Sequence, residues 1–266
     1  MTHISRFRSG AGLVLLILLI AGCASSPDRL WTVRTSSTPL PLSSDLDLVS
    51  IQQEAVGLLT PFAPPALRGN EVALSRYLDD IIKKIFPTWK VIGEQQTINL
   101  INRYGLAGEY ARLRESGEQN HILDRELLQK IGKSIEVRYV FQPRLAYFLQ
   151  TMTDRLSLPP LDLLMAQTRS GHMRLSLQLW DTMSGELIWA SAAETALQSE
   201  AVTQDPVFME DAARITWGSM LSDLLNGKTS SGYTRLNEVL DNLLSEKTNK
   251  TQRGESHQGQ VEEYRQ

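Results

Sequence analysis

Side chains suited to covalent or metal chemistry are scarce in this sequence. It contains one cysteine, Cys23, and four histidines, of which His121 and His172 lie in the central part of the chain. It has no HExxH, CxxC or GxSxG motif and no glycine-rich loop that would cradle a phosphate. We therefore predict a chain without catalytic residues, without a cofactor and without a metal ion, and expect it not to be an enzyme.

The residues before Cys23 predict a chemical modification of its thiol. Two arginines precede an apolar run from Ala11 to Ala21. The run is too short to span a bilayer and is typical of a secretory signal. The sequence IAGC, which ends in Gly22 and Cys23, resembles a bacterial lipobox, in which the cysteine thiol accepts a diacylglycerol. We predict cleavage between Gly22 and Cys23 and lipidation of Cys23; the alternative is a plain signal peptide with a chance cysteine.

A lipidated Cys23 would attach the protein to a membrane without a spanning helix. One acyl chain gives marginal, reversible binding, whereas two or more, such as diacylglycerol with palmitate, give a stable anchor. Residue 24 is alanine, not aspartate. By resemblance to lipoprotein sorting in Gram-negative cells, this favours the outer membrane, with the domain facing the periplasm.

Composition divides the chain into four segments. After the signal peptide, residues 1–22, the Ser-, Thr- and Pro-rich residues 23–45 predict a flexible tether. Residues 46–245 contain the periodic apolar pattern of one domain, and the polar residues 246–266 predict a disordered tail. The formal net charge of −3 leaves no basic excess for binding nucleic acid.

The periodicity of the central segment predicts a mixed α/β domain. Strands are expected at 54–62, 88–92 and 136–150, and a hairpin at 173–193. In the hairpin, apolar residues alternate with polar ones from Met173 to Leu179, and residues 181–185 supply the turn. Helices are expected over 70–86, 95–104, 125–135 and from Asp205-Pro206 to about Leu225, with a short one at 233–245. Asn70 and Asp124 are the expected caps of the first and third of these helices. The fold class is thus one sheet of about four to five strands flanked by helices.

The order of these segments resembles a known superfamily. The sequences LLTPF, KVIGEQQTINLINRYGL, ILDRELLQKIGKSIEVRYVFQPRL and LSLQLWDTMSGELIWAS follow one another between residues 54 and 226. This order is similar to that of the curli-secretion lipoprotein superfamily. The group includes lipoprotein activators of penicillin-binding proteins and the amino-terminal domain of the Tol–Pal propeller protein. The resemblance implies a sheet flanked by helices and a role in envelope assembly through protein contacts.

Residues 150–172 depart from the pattern of that superfamily. They lie between its two central strands, where the sequence indicates either a loop or a binding insertion. Apolar residues on such a segment either dock onto their own domain or meet a partner. The residues proposed for partner binding are Leu156, Leu158, Leu161, Leu163, Leu164 and Met165.

The function predicted from the sequence is that of an interaction or assembly module anchored in the cell envelope. Its partner would be a cell-wall synthase, a secretion complex or further copies of the chain. The alternative is a subunit of an outer-membrane secretion or export complex.

Overall fold

The fold is described from a computed structural model. It describes residues 31–40, 42, 48–158, 163–199 and 207–233, and only the backbone of 31–32, 153–158, 163–168 and 199. The strands are β1 Trp31–Pro39, β2 Ala55–Leu58, β3 Lys90–Ile92, β4 Tyr139–Leu158, β5 Leu163–Asp181, β6 Glu186–Ser199 and β7 Gly232–Tyr233. The α-helices are α1 Leu48–Gln53, α2 Glu71–Ile85, α3 Glu94–Arg103, α4 Ala107–Asn120, α5 Arg125–Ile135 and α6 Met209–Leu225, and a 3₁₀ turn spans Pro65–Leu67.

The seven strands form one sheet in the order β3-β2-β4-β5-β6-β1-β7. Strand β2 pairs in parallel with β3 and β4, and the other neighbours are antiparallel. The predicted mixed α/β class is confirmed, although the sheet has more strands than expected. The sequence analysis missed two of them, β1 and β7.

Helices cover the two faces of the sheet to different extents. Helices α2 and α6 lie on one face, over a core that includes Phe141, Leu177 and Trp217. Helices α3, α4 and α5 enclose a second, smaller core with Val140 and Trp180 on the opposite face. That second layer lies over β2 and the adjoining ends of β4 and β5. Much of the opposite face therefore has none of the described helices over it.

Local sequence explains the helix and turn boundaries near this second core. The Asp124 side chain accepts a hydrogen bond from the Leu127 amide at 2.9 Å, so the predicted cap of α5 is confirmed. Asp181 Oδ1 accepts hydrogen bonds from the amides of Met183 and Ser184 in the β5–β6 turn. Gly185 closes that turn at φ 72°, in the left-handed region that favours glycine.

Two other predicted helix starts differ from the structure. Asn70 precedes α2, but its side chain donates to the Leu67 carbonyl and does not cap the helix. Helix α6 begins at Met209, after Phe208; Asp205-Pro206, the predicted start, lies outside the described residues. Most of the predicted helix at 233–245 lies outside them too, and Tyr233 belongs to β7.

The start of the domain is corrected from residue 46 to residue 31. Residues 31–39, assigned from composition to the tether, form β1 and pair with β6 along their whole length. Two of their inward side chains, Thr35 and Ser37, are polar and find partners, whereas Val33 packs against the apolar core. Thr35 Oγ1 lies 3.1 Å from Thr195 Oγ1, and Ser37 donates a hydrogen bond to Asp223 on α6. Satisfied polar groups can be buried, so this strand needs no apolar pattern.

Of the segment 150–172, residues 150–158 continue β4 and residues 163–172 belong to β5, where the sequence analysis allowed for a loop. Its backbone pairs in antiparallel register from Gln150–Gly171 to Leu158–Leu163, with irregularities near Leu156. We refer to β4 and β5 together as the β4–β5 hairpin.

Replacing Gly132 with alanine is expected to destabilise the protein. A Cβ there would lie 2.2 Å from Cβ and Oγ1 of Thr182. Thr182 is fully buried and donates to the Val137 carbonyl at 2.6 Å, so it cannot easily move. Overpacking of this kind costs about 1–3 kcal/mol or more, which exceeds the gain in helix propensity. Urea unfolding of the Gly132→Ala variant measures the loss.

Gly108→Ala is the matched control for this substitution. Gly108 lies in α4, and an added Cβ would meet nothing within 4 Å. This variant should gain up to about 1 kcal/mol from helix propensity. Equal changes in both variants would mean that Gly132 and Thr182 are not in close contact.

Candidate functional site

The structure describes only some of the site residues predicted from the sequence. Cys23 and Gly22 lie outside the described residues, and so does Leu161. Leu156 and Leu158 lie in the last part of β4, and Leu163, Leu164 and Met165 lie at the start of β5. The lipidation of Cys23 and the binding role of the hairpin residues therefore stay predictions.

One face of β1, β4, β5 and β6 has no described helix packed over most of its area. Among the described helices, only α6 packs extensively on β1, β5 and β6, and it lies on the other face. We call the uncovered side the open face. It presents the side chains that alternate with the core residues: Arg34, Ser36, Thr38, Tyr147, Leu149, His172, Arg174, Ser176, Ala192, Glu194 and Ala196.

A row of charged and hydroxyl groups crosses the centre of the open face. The strand register aligns Tyr147, Arg174, Glu194 and Ser36 on neighbouring strands. Arg174 and Glu194 are exposed and directly opposite each other. Burial raises the pKa of the Tyr147 phenol, and its hydrogen bond to the Glu194 carboxylate raises that pKa further. The phenol therefore stays protonated at neutral pH and holds Glu194 in place.

Two stacked arginines form the border between the open face and the second helical layer. The guanidinium carbons of Arg144 and Arg114 lie 4.8 Å and 5.1 Å from the centre of the Phe62 ring. Arg144 also donates to the Gly117 carbonyl at 2.6 Å, and Arg114 donates to the Thr60 carbonyl at 2.9 Å. Burial lowers the pKa of Arg144, which nonetheless stays charged at neutral pH. These contacts fix α4 beside the sheet.

The polar groups beneath α6 have a structural role. The Thr216 hydroxyl lies 2.9 Å from that of Thr195. The buried Asp223 carboxylate accepts from Ser37 and lies 3.5 Å from the ammonium of Lys228. Lys228 in turn donates to the Gly232 carbonyl at 3.1 Å in β7. The network therefore ties β1, α6 and β7 together.

The histidines and acidic residues do not form a metal site in the described part of the chain. His172 lies on the open face, whereas His121 follows α4 and accepts a hydrogen bond from Gln178 through its carbonyl. Within the described ranges, no group of three or more His, Cys, Asp or Glu side chains could hold a metal ion. The described helices also include none with the length and apolar character needed to cross a bilayer.

Comparisons with known proteins find weak structural likenesses. No family model matches the chain, and no curated protein does. The PelC dodecamer from Paraburkholderia phytofirmans aligns at 11% identity over 73% of this chain and 97% of that chain, with a TM-score of 0.37. Lipoprotein GNA1162 from Neisseria meningitidis aligns at 12% identity over 65% of this chain and 96% of that chain, with a TM-score of 0.32.

A third structure, the hypothetical protein CT253 from Chlamydia trachomatis, aligns at 12% identity. The alignment covers 65% of this chain and 91% of the CT253 chain, with a TM-score of 0.35. The solved structures that this fold weakly resembles thus include a bacterial lipoprotein. None of these three likenesses is to a protein named as a member of the curli-secretion lipoprotein superfamily. The resemblance to that superfamily stays a prediction.

The sequence analysis did not identify the open face as a candidate interaction surface. The alternation of Arg174, Ser176 and Gln178 with leucines did place these polar residues on one side of β5. It did not show that no described helix covers this side, because coverage depends on where α3–α5 pack. Arg34 gave no signal, since β1 was assigned to the tether.

Proposed function

We propose that this chain is a lipid-anchored protein of the cell envelope that works by docking another protein, without catalysing a reaction. The anchor is Cys23, in the outer membrane, with the domain in the periplasm. The observation that carries the docking role is the open face, where four strands display polar, charged and small side chains. An interaction surface requires such a set, whereas the described residues offer no arrangement of nucleophile, base and orienting group.

The charge of the open face indicates the kind of partner. The chain as a whole has a formal net charge of −3. On the open face, however, the exposed Arg34 and Arg174 outnumber the single carboxylate of Glu194, and Arg144 adds a further positive charge at its border. Opposite potentials attract across an interface and suppress wrong partners. We propose that the partner is an envelope protein with an acidic surface.

The dimensions of the open face are compatible with such a complex. Four strands spaced about 4.8 Å apart, over eight residues of about 3.3 Å, give an area of roughly 500 Å². Stable complexes bury about 800 Å² per partner, and weak or transient ones bury less. The open face therefore suits a partner that binds reversibly while both proteins stay in the envelope.

Photo-crosslinking in intact cells tests this proposal. A photoreactive amino acid at Ser36, on the open face, should give one discrete crosslinked product. The same group at Lys133, exposed on α5, should not. Mass spectrometry then separates the partner classes: a cell-wall synthase, a secretion complex or a second copy of this chain. Equal products from both positions, or none from Ser36, would rule out docking through the open face.

Reversing one charge on the open face should weaken the complex. Arg174→Glu is expected to reduce the crosslinked product at least tenfold, since a lost charge-assisted contact is worth about 1.5–3 kcal/mol. Arg68→Glu makes the same charge change at an exposed site near α2 and should leave the product unchanged. The melting temperature of Arg68→Glu should match that of the wild type, and that of Arg174→Glu should fall by only a few degrees, since a like charge opposite Glu194 costs about 0.2–1 kcal/mol. An undiminished product from Arg174→Glu would show that the partner is not acidic at this point.

A further inference from the structure

Three arginines form a line across the open face. Arg34 lies on β1, Arg174 on β5 and Arg144 on β4. The register places Arg34 in the row of His172, Arg174 two residues further along β5, and Arg144 opposite Ser176, two residues further again. With strands about 4.8 Å apart and residues about 3.3 Å apart, this line is roughly 20 Å long, and about 12 Å of it separates Arg34 from Arg174. We call it the arginine diagonal.

The positive charges on the arginine diagonal are not fully balanced by the sheet. Arg34 and Arg174 are exposed, and neither donates a hydrogen bond to a residue that the structure describes. Glu194 lies opposite Arg174 and accepts a hydrogen bond from the Tyr147 phenol, so its single charge balances at most one of the two. Arg144 is half-buried and already donates to a backbone carbonyl of α4. The groups available to a partner are therefore the guanidinium groups of Arg34 and Arg174.

The open face restricts the kind of element that can bind to it. An extended segment pairs with the edge of a sheet, since its amides and carbonyls find no backbone partner on a face made of side chains. A helix satisfies its own backbone hydrogen bonds and can lie on such a face, as α6 does on the other side of the same strands. The open face therefore favours a helix over an extended segment.

The dimensions of the arginine diagonal match a helix of about thirteen residues. At about 1.5 Å per residue, such a helix is about 20 Å long, as long as the line from Arg34 to Arg144. Acidic residues two turns apart on a helix are separated by about 11 Å, close to the distance between Arg34 and Arg174. Two alanines of β6, Ala192 and Ala196, lie beside this line and leave room for a helix to approach the strands. Length and charge spacing thus agree on one acidic helix.

A second copy of this chain does not match the charge of the open face. If two copies met face to face about a two-fold axis, each would bring the same arginine diagonal to the interface. Like charges that face each other across an interface oppose association. The partner is therefore a different protein, with carboxylates on the helix that it presents.

We propose that the open face binds a single α-helix of the partner, laid along the arginine diagonal, with carboxylates two turns apart paired to Arg34 and Arg174. This inference rests on the proposed docking function and specifies the form of the bound element. The partner's helix then lies on the same side of the sheet as α3–α5 and extends that helical layer.

Mapping two crosslinks on the partner measures the form of the bound element. A photoreactive amino acid is placed at Ala196, which pairs with Arg34, and in a second full-length variant at Ser176, which pairs with Arg144. The two positions are roughly 14 Å apart on the open face. Mass spectrometry locates the attached residue of the partner in each product. A helix should give attachment points about nine residues apart, whereas an extended segment would give points about four residues apart.

Charge reversal at one end of the arginine diagonal tests the pairing. Arg34→Glu, combined with the photoreactive group at Ser176, should reduce the product several-fold, although the two positions are roughly 16 Å apart. A rigid helix that loses its contact at one end binds less tightly along its whole length. Arg68→Glu, at an exposed site near α2, is the matched control and should leave the product unchanged. An undiminished product from Arg34→Glu would overturn the inference.

The remaining outcomes separate this inference from the proposed function. No product from either position would overturn docking through the open face itself. Where both products form, attachment points about four residues apart, or in two unconnected segments of the partner, would overturn the helix alone. Attachment to a second copy of this chain, or to the chain's own residues 234–266, would overturn it too.

Discussion

Leu177→Ala is expected to lower the free energy of unfolding by about 2–5 kcal/mol. Leu177 is fully buried on the face of β5 that lies beneath α6, together with Leu175 and Leu179. Truncation removes apolar contacts and leaves a cavity that α6 and the sheet cannot close without moving the buried Trp217. Equilibrium denaturation in urea, followed by tryptophan fluorescence, measures the loss.

Ser176→Ala is the matched control for Leu177→Ala. Ser176 is the neighbouring residue of β5, and it lies on the open face where no described helix packs. Its replacement should change the free energy of unfolding by no more than about 0.5 kcal/mol. Comparable losses in the two variants would mean that the register of β5 is shifted by one residue or that both faces of the strand are covered.

Cys23→Ser is expected to abolish membrane attachment. A serine hydroxyl does not replace the thiol that accepts the diacylglycerol, so neither this lipid nor the further acyl chain would be added. Metabolic labelling with an alkyne fatty acid should mark the wild-type protein only. The variant should also keep its signal peptide and migrate more slowly on a gel. Equal labelling of both proteins would contradict the proposed lipoprotein.

Gly22 supplies an independent check on the same proposal. The signal peptidase needs a small residue before the cysteine, so Gly22→Leu should reduce processing while the Cys23 thiol remains. If that variant is labelled and cleaved like the wild type, the processing site lies elsewhere.

Much of the central domain could be predicted from the sequence because its signals are local. The alternation from Met173 to Leu179 predicts a strand with one buried face, and the structure confirms it. Asp124 predicts the start of α5 because its side chain bonds to an amide three residues away. Apolar spacing in α2 likewise predicts the buried Leu74, Leu78 and Ile81. Each of these patterns involves residues within one or two turns of one another.

Helix α4 escaped sequence analysis because its apolar stripe is too thin to show a period. Only Leu113 and Gly117 of its residues are buried. Its position depends instead on Arg114 and Tyr110, which bond to Thr60 about fifty residues earlier in the chain. Contacts over such distances leave no periodic signal.

The sequence by itself determined the anchor motif, the scarcity of catalytic side chains and the apolar patterns of the core elements. Only the tertiary structure decided three further features. Strand β1 exists because its inward Thr35 and Ser37 meet Thr195 and Asp223, which lie far away in the chain. The β4–β5 hairpin continues past Gln150 and Gly171 because paired backbones satisfy their own hydrogen bonds, whatever side chains they carry. The open face exists because α3–α5 pack over β2 and the adjoining ends of β4 and β5, and no described helix packs on that side of the remaining strands. Such coverage depends on how whole elements pack together.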